Sequence, residues 1–331
     1  MNRALAHIER IRNVEPIEGA DKIEKATILG WEVVIKKDEF KIGDLVVYIE
    51  IDSILPEREE FEFLREKKFR IRTVRMRGQI SQGIAFPLSI LPDGIQIEEG
   101  LDVTEALNIQ KYEPPIPAQL SGIVKGRFPS FIPKTDETRI QSVPDVLVRH
   151  KGKMFYISEK LDGSSATYYL RDSEFGVCSR NLELKETDQN TFWVIARKND
   201  IENKLRAYGR DVAVQGEVIG PGIQKNRYKL KQPSLFIFSV FDIDNYKYAD
   251  FKEFTEFALK YGFDTVPILN TEYVLNNTVE ELVELSKGMS KLNEEIQREG
   301  IVMRTLIECQ DEELGRLSFK VVNPEYLLMY E

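Results

Sequence analysis

The sequence predicts an α+β protein of two domains, a β-rich N-terminal one and a larger one in which strands alternate with helices. Three observations point there. The chain has 331 residues, more than the ~100–200 typical of one domain. Its first third consists of short β-branched runs broken by turn residues. A proline-rich connector, Tyr112-Glu113-Pro114-Pro115-Ile116-Pro117, then precedes a region of mixed periodicity; such segments are extended and stiff. The expected domains are residues 1–111 and 121–331, with 112–120 as linker.

The elements follow in order. Ala26-Thr27-Ile28-Leu29 and Trp31-Glu32-Val33-Val34-Ile35 are strands separated by Gly30, and Lys41-Ile42-Gly43-Asp44 is a turn before Leu45-Val46-Val47-Tyr48-Ile49. This pattern suits a small barrel or sandwich. Lys67 to Gly78 carries Lys67, Lys68, Arg70, Arg72, Arg75 and Arg77 with no acidic residue. Read as one strand, it puts Lys68, Arg70 and Arg72 on one face and Arg75 and Arg77 on the other. Charges so placed protect a sheet edge or track a phosphate backbone. Later, Phe251, Phe254, Phe257, Ala258 and Tyr261 recur at helical spacing before Gly262, and Thr278-Val279-Glu280-Glu281 is a capping box.

Composition narrows the chemistry. Hydrophobic residues make 42% and charged residues 31%, which suits soluble domains with real cores. No apolar run approaches the ~18 residues of a membrane span, and the first residues lack the apolar core of a signal peptide. With Cys178 and Cys309 the only cysteines, a zinc cluster is excluded and a cytoplasmic setting is expected. The net charge of -9 argues against indiscriminate polyanion binding, though not against a local basic patch. His7 and His150 are the only histidines, so Ser-His or Cys-His catalysis is a poor fit. Lysines and carboxylates, with an added metal ion, are left.

Such residues stand where strands are expected. In Ile157-Ser158-Glu159-Lys160-Leu161-Asp162-Gly163 a lysine follows an apolar run and precedes an acid and a glycine. Lysine is protonated at neutral pH, with an ordinary pKa of ~10.4. To act as a nucleophile it needs an apolar seat or a nearby cation, and Asp162 opposes this unless a divalent ion occupies it. Glu217 lies in Val212–Gly220, Asp242 ends Leu235–Ile243, Glu299 and Gly300 open Ile301–Arg304, and Lys320 interrupts Leu317–Val322. Carboxylates that hold Mg²⁺ through waters, lysines that meet phosphate oxygens and aromatics that flank a base make a metal-assisted nucleotidyl site.

The order of these segments resembles the covalent nucleotidyltransferase superfamily of polynucleotide ligases and mRNA capping enzymes. Lys160-Leu161-Asp162-Gly163 is similar to its first motif. Ser179-Arg180-Asn181, Gln215-Gly216-Glu217, Phe238–Ile243, Glu299-Gly300-Ile301-Val302 and Phe319-Lys320-Val321-Val322-Asn323 resemble those that follow. Ile17–Ile23, Gly30-Trp31, Phe40–Asp44, Phe131–Gln141 and Gly220–Asn226 resemble the Deinococcus-type RNA ligase family. The resemblance implies an N-terminal OB-like β-barrel and a C-terminal nucleotidyltransferase (ligase) domain built on antiparallel sheets with flanking helices. Only Pro324–Glu331 follows the fifth motif, so the OB domain is expected at the N-terminus.

The resemblance also implies roles. Lys160 takes AMP from ATP, Lys320 grips the α-phosphate, and Asp162, Glu217 and Glu299 bind Mg²⁺ (or Mn²⁺) or its waters. Glu217 holds the ribose in an alternative version. Phe241 or Phe238 stacks on adenine, Glu159 meets the base edge, Gly163 allows close approach, and Arg180 touches ribose or the nick end. The implied substrate is a nicked duplex nucleic acid with a 3′-OH RNA end and a 5′-phosphate, bound partly by Lys67, Lys68, Arg70, Arg72, Arg75 and Arg77. No membrane or obligate protein partner is implied. Relatives often carry Lys-x-Lys in the fifth motif, where Val322 stands here; Lys134, Arg139 and Lys225 are candidates for the second phosphate contact. The alternatives are an ATP-dependent DNA ligase, a GTP-using capping guanylyltransferase and a non-catalytic RNA-binding protein.

Overall fold

The computed structural model describes residues 4–112 and 123–330; most of the expected linker, 113–120, lies outside them. Two compact units divide the chain. The first takes in the described residues up to 112 together with Ile140–Val146 and the segment from Pro324 onward; the second holds the rest.

The first unit has a five-stranded antiparallel sheet in the spatial order Trp31–Lys36, Ile23–Ile28, Ala6–Pro16, Leu45–Ile49 and Ile84–Phe86. Ala6–Pro16 serves two partners. Its first half pairs with Leu45–Ile49 and its second with Ile23–Ile28, across a register shift between Ile11 and Asn13. A bulge of this kind bends a strand and lets a sheet curl toward a barrel. Trp31, Val33 and Ile35 alternate inward, as a half-buried strand requires.

The basic segment departs from its expected form. It is not one strand: Glu59–Lys67 is a 3₁₀ helix, Lys68 and Phe69 turn back with φ of 53° and 54°, and Val74–Met76 and Gln79–Ser81 form a hairpin. Burial of Phe61, Leu64, Phe69 and Ile71 forces the reversal. Arg70 is committed to the fold, ion-paired with Asp52 at 3.4 Å and stacked over Tyr112 at 3.6 Å. Arg75 pairs with Glu325 at 2.6 Å. Lys67, Lys68, Arg72, Arg75 and Arg77 remain exposed.

A buried charge cluster gives this unit a pH dependence. His7 lies between Glu9, 3.0 Å from Nδ1, and Glu50, 3.5 Å from Nε2, with Tyr48 edge-on to its ring. Glu50 also accepts from the Ser142 hydroxyl at 2.7 Å. Burial opposes the imidazolium, but the two carboxylates outweigh it and raise the pKa to about 9. The stabilisation is therefore full below the ordinary His value near 6.5 and is lost as pH rises through about 9. Thermal unfolding of wild type and His7→Gln is expected to differ by up to about 3 kcal/mol at pH 6, with the gap closing by about pH 9.5. A pH-independent gap would contradict the pairing.

The second unit is built on two sheets. The larger runs, in spatial order, Val124–Arg127, Leu182–Leu184, Glu174–Ser179, Ser164–Arg171, Val212–Ile219, Ser234–Asp242 and Lys247–Tyr248. The smaller runs Thr138–Arg139, Ser318–Val322, Gly300–Thr305, Met154–Lys160 and Ile268–Val274. All pairings are antiparallel except that of Thr138–Arg139 with Ser318–Val322. Helices Thr191–Lys198, Ile201–Tyr208 and Phe251–Tyr261 bury Trp193, Leu205, Phe254 and Phe257 against Tyr168, Val214 and Ile237 of the larger sheet. Phe251–Tyr261 starts at an Asp250/Glu253 capping box and stops at Gly262, which has φ of 63°. Val279–Ser286 starts at the Thr278/Glu281 box. Both helices form where the sequence places them.

Candidate active site

Strand register assembles the site. Lys160 ends its strand opposite Gly300, and Glu299 immediately precedes that glycine. Lys320 pairs with Val302, which also pairs with Ser158. Cross-strand partners share a face and alternate residues return to it, so Ser158, Lys160, Val302, Arg304 and Lys320 all point the same way. They line a cleft of about 340 Å³. The larger sheet contributes Ser164, Ser165, Glu217 and Phe238; Gly163 and Arg180 complete its rim. At Gly163 the backbone passes so close to the next strand that a Cβ would meet the Val218 carbonyl at 2.4 Å and Glu217 Cγ at 2.9 Å, which explains the glycine.

The cleft is crowded with opposed charge. Lys160 Nζ donates to Glu299 at 2.5 Å, both side chains largely buried. Asp162 is ion-paired with Arg227, and its backbone N–H donates to the Tyr228 hydroxyl at 2.8 Å. Enclosure pushes the Glu217 carboxyl well above the usual range, against the pull of Lys160 and with the push of Glu299. Glu159 is buried and accepts from the Lys291 N–H at 2.8 Å. Burial raises its pKa against that bond, and its Oε1 has no hydrogen-bond partner.

One expectation needs correction. Phe241 does not reach the cleft. It is 1% exposed, walled in by Ile132, Tyr169, Tyr246 and Tyr248, which leaves Phe238 as the aromatic of the cleft. Asp162, Glu217 and Glu299 all line the cleft, and among the described residues no three His, Cys, Asp or Glu side chains group to hold an ion by themselves. Asp162 and Glu299 are engaged by cations instead. Their hard oxygen donors still suit Mg²⁺ or Mn²⁺, and Glu299 Oε2 is buried without a hydrogen-bond partner. Such ions keep several waters and take substrate phosphates in place of a full protein shell.

Val322, which stands where relatives carry a second lysine, is buried. Of the three substitutes, Arg139 pairs in register with Lys320. Lys134 is exposed and donates to Asn181 at 3.1 Å, and Lys225 sits in a run of left-handed residues, Gln224–Asn226. Sequence reading missed Arg227, Tyr228, Asp136, Glu137 and Arg304. Asp136 accepts from Arg180 at 2.5 Å, and Glu137 from Arg304 at 2.8 Å. The one available signal was Arg304, a cation inside an apolar strand.

Known proteins resemble this chain in sequence and fold. An RNA ligase family model matches residues 153–322, and an OB-fold domain model matches residues 5–88. The chain belongs to the RNA ligase family. This RNA ligase is an enzyme with an N-terminal OB-fold domain and a C-terminal ligase domain. The Naegleria gruberi RNA ligase with PPi superposes on it at a TM-score of 0.92, with 39% identity over 99% of each chain. A variant of that ligase with ATP and Mn gives 0.90 and 39%, and one with AMP and Mn gives 0.91 and 40%, each covering 98% of both chains. No curated protein matches the chain. No described helix of this RNA ligase is long and apolar enough to cross a membrane.

Proposed function

We propose that this RNA ligase seals 3′-OH/5′-phosphate nicks in duplex nucleic acid, using ATP, through a covalent AMP on Lys160. The observation that carries the reading is the convergence of Lys160, Glu299, Lys320, Glu217 and Phe238 on one cleft. The Naegleria gruberi structures with ATP, AMP, PPi and Mn support it.

Three in-line displacements at phosphorus follow. The Lys160 Nζ lone pair attacks the α-phosphorus of ATP as the bond to pyrophosphate breaks, and Nζ loses its proton. A 5′-phosphate oxygen then displaces Lys160 and takes the AMP. Finally a 3′-hydroxyl attacks the activated 5′-phosphorus, AMP leaves, and a phosphodiester forms. Positioning and charge neutralisation dominate such steps. The Lys160–Glu299 pair must open, or its proton move to the carboxylate, before attack, because an ammonium has no lone pair. Lys320 holds the α-phosphate, Phe238 stacks on adenine, Glu159 meets the base edge and Arg180 meets ribose or the nick end. Glu217, Glu299 and Asp162 would hold a divalent cation. When bound there it would offset phosphate charge and favour the amine form of Lys160.

The test is sealing of labelled nicked duplexes that differ only in RNA or DNA on each side of the nick, with ATP or GTP. Sealing of an RNA 3′-OH end with ATP supports the proposal. Sealing of all-DNA nicks alone, or use of GTP, would move the reading to a DNA ligase or a capping enzyme.

The exposed Lys67, Lys68, Arg72 and Arg77 are assigned to phosphate binding. Their joint replacement by alanine is expected to weaken nicked-duplex binding and flatten its salt slope by about 0.9 for each phosphate no longer neutralised. Lys160 adenylylation should not change. Binding with an unaltered salt slope would remove this surface from the account.

A further inference from the structure

Arg304 is 3% exposed on the cleft-facing side of its strand, two residues beyond Val302. Its Nε and Nη2 both donate to Glu137 Oε1, at 3.2 and 2.8 Å, while Nη1 is buried with no hydrogen-bond partner. The guanidinium carbon lies 5.2 Å from the centroid of the Phe238 ring. Phe238 itself sits at a bulge, for Gln215 pairs with Ser239 and the next residue, Gly216, with Ile237. Bulges re-aim side chains beside active sites; no residue of Val212–Ile219 pairs opposite Phe238, whose ring packs in part against the apolar cluster of Leu161, Ile219, Tyr228, Val266 and Ile296.

Glu137 is fixed in turn by its own segment. Gln215 donates to the Pro133 carbonyl at 2.7 Å, the Thr135 and Ser165 hydroxyls lie 2.5 Å apart, and Asp136 accepts from Arg180. A buried ion pair of this kind adds little to stability, since apolar residues of similar volume often replace it without loss. Its approach to an aromatic of the cleft is what an apolar pair would not reproduce.

We propose that Arg304, anchored by Glu137, is a positioning residue that fixes the plane of Phe238 so that the ring's open face receives the nucleotide base. The guanidinium attracts the ring's quadrupole, and its two bonds to one carboxylate oxygen fix where that attraction acts. The proposal rests on the ATP-dependent reading above and extends it to two cleft residues given no role there.

The test is the ATP dependence of self-adenylylation. The double variant Glu137→Leu/Arg304→Met removes both charges together, so neither member of the ion pair is left facing an empty place. It is expected to raise KM for ATP about tenfold while kcat falls far less. Arg304→Lys keeps the charge but not the planar fork and should raise KM severalfold. Adding Phe238→Leu to the double variant should cost much less than the same change in wild type, because coupled residues are non-additive. Should the double variant fail to fold by circular dichroism, Arg304→Lys with and without Phe238→Leu supplies the same comparison. An unchanged KM, or additivity with Phe238→Leu, would overturn the proposal. A wild type that takes no AMP from ATP would instead overturn the functional reading beneath it.

Discussion

Lys160→Ala is expected to take no AMP from ATP, yet still to seal a nick whose 5′ end already carries AMP. The first two displacements need Lys160, as nucleophile in the first and as leaving group in the second; the third does not. Lys160 is the cleft amine paired with Glu299, at 2.5 Å, and alanine removes it without touching the walls. The strand itself is secured by pairing on both sides, with Ile268–Val274 and Gly300–Thr305, so the variant should fold. Sealing of pre-adenylylated substrate checks that the rest of the site survives. Full adenylylation by Lys160→Ala would place the nucleophile elsewhere. Loss of both activities in a folded protein would give Lys160 a wider role.

Lys320→Ala is expected to lower adenylylation by about 10²–10³-fold, the usual cost of removing one preorganised charge from a developing anion. Lys320 lies on the cleft side of Ser318–Val322, in register with Val302. Two residues on, the chain offers buried Val322 rather than a second lysine. The α-phosphate therefore depends on Lys320 more heavily than a Lys-x-Lys motif would require. Lys320→Arg should recover part of the rate, and single-turnover adenylylation measures both. A fall of less than about threefold for Lys320→Ala, far short of that usual cost, would mean that Arg139, or another cation, carries the phosphate.

Much of this was legible in the sequence because it depends on local pattern. The capping box at Thr278, the helical spacing of Phe251, Phe254 and Phe257, the short β-branched run from Trp31 to Ile35, and charged residues within apolar strands all act over a few residues. The order of the lysine, glutamate and aromatic segments then identified the cleft. What stayed hidden depends on residues far apart. Tyr228 meets Asp162 across 66 residues, and Arg304 meets Glu137 across 167. No spacing rule pairs them. Phe241 and Phe238 looked equivalent because both sit in one aromatic strand, and only the packing of Tyr246 and Tyr248 separates them. The basic segment misled for a similar reason. Its charges alternate like a strand's, but buried Phe69 and Ile71 dictate the turn.

The most direct test of the central claim is to incubate the wild-type protein with ATP and a divalent cation, then map the modified residue by peptide mass spectrometry. AMP on the peptide that contains Lys160, bonded to that side chain and released by pyrophosphate as ATP, is the expected result. AMP on any other residue, or none from ATP in a folded protein, would contradict it.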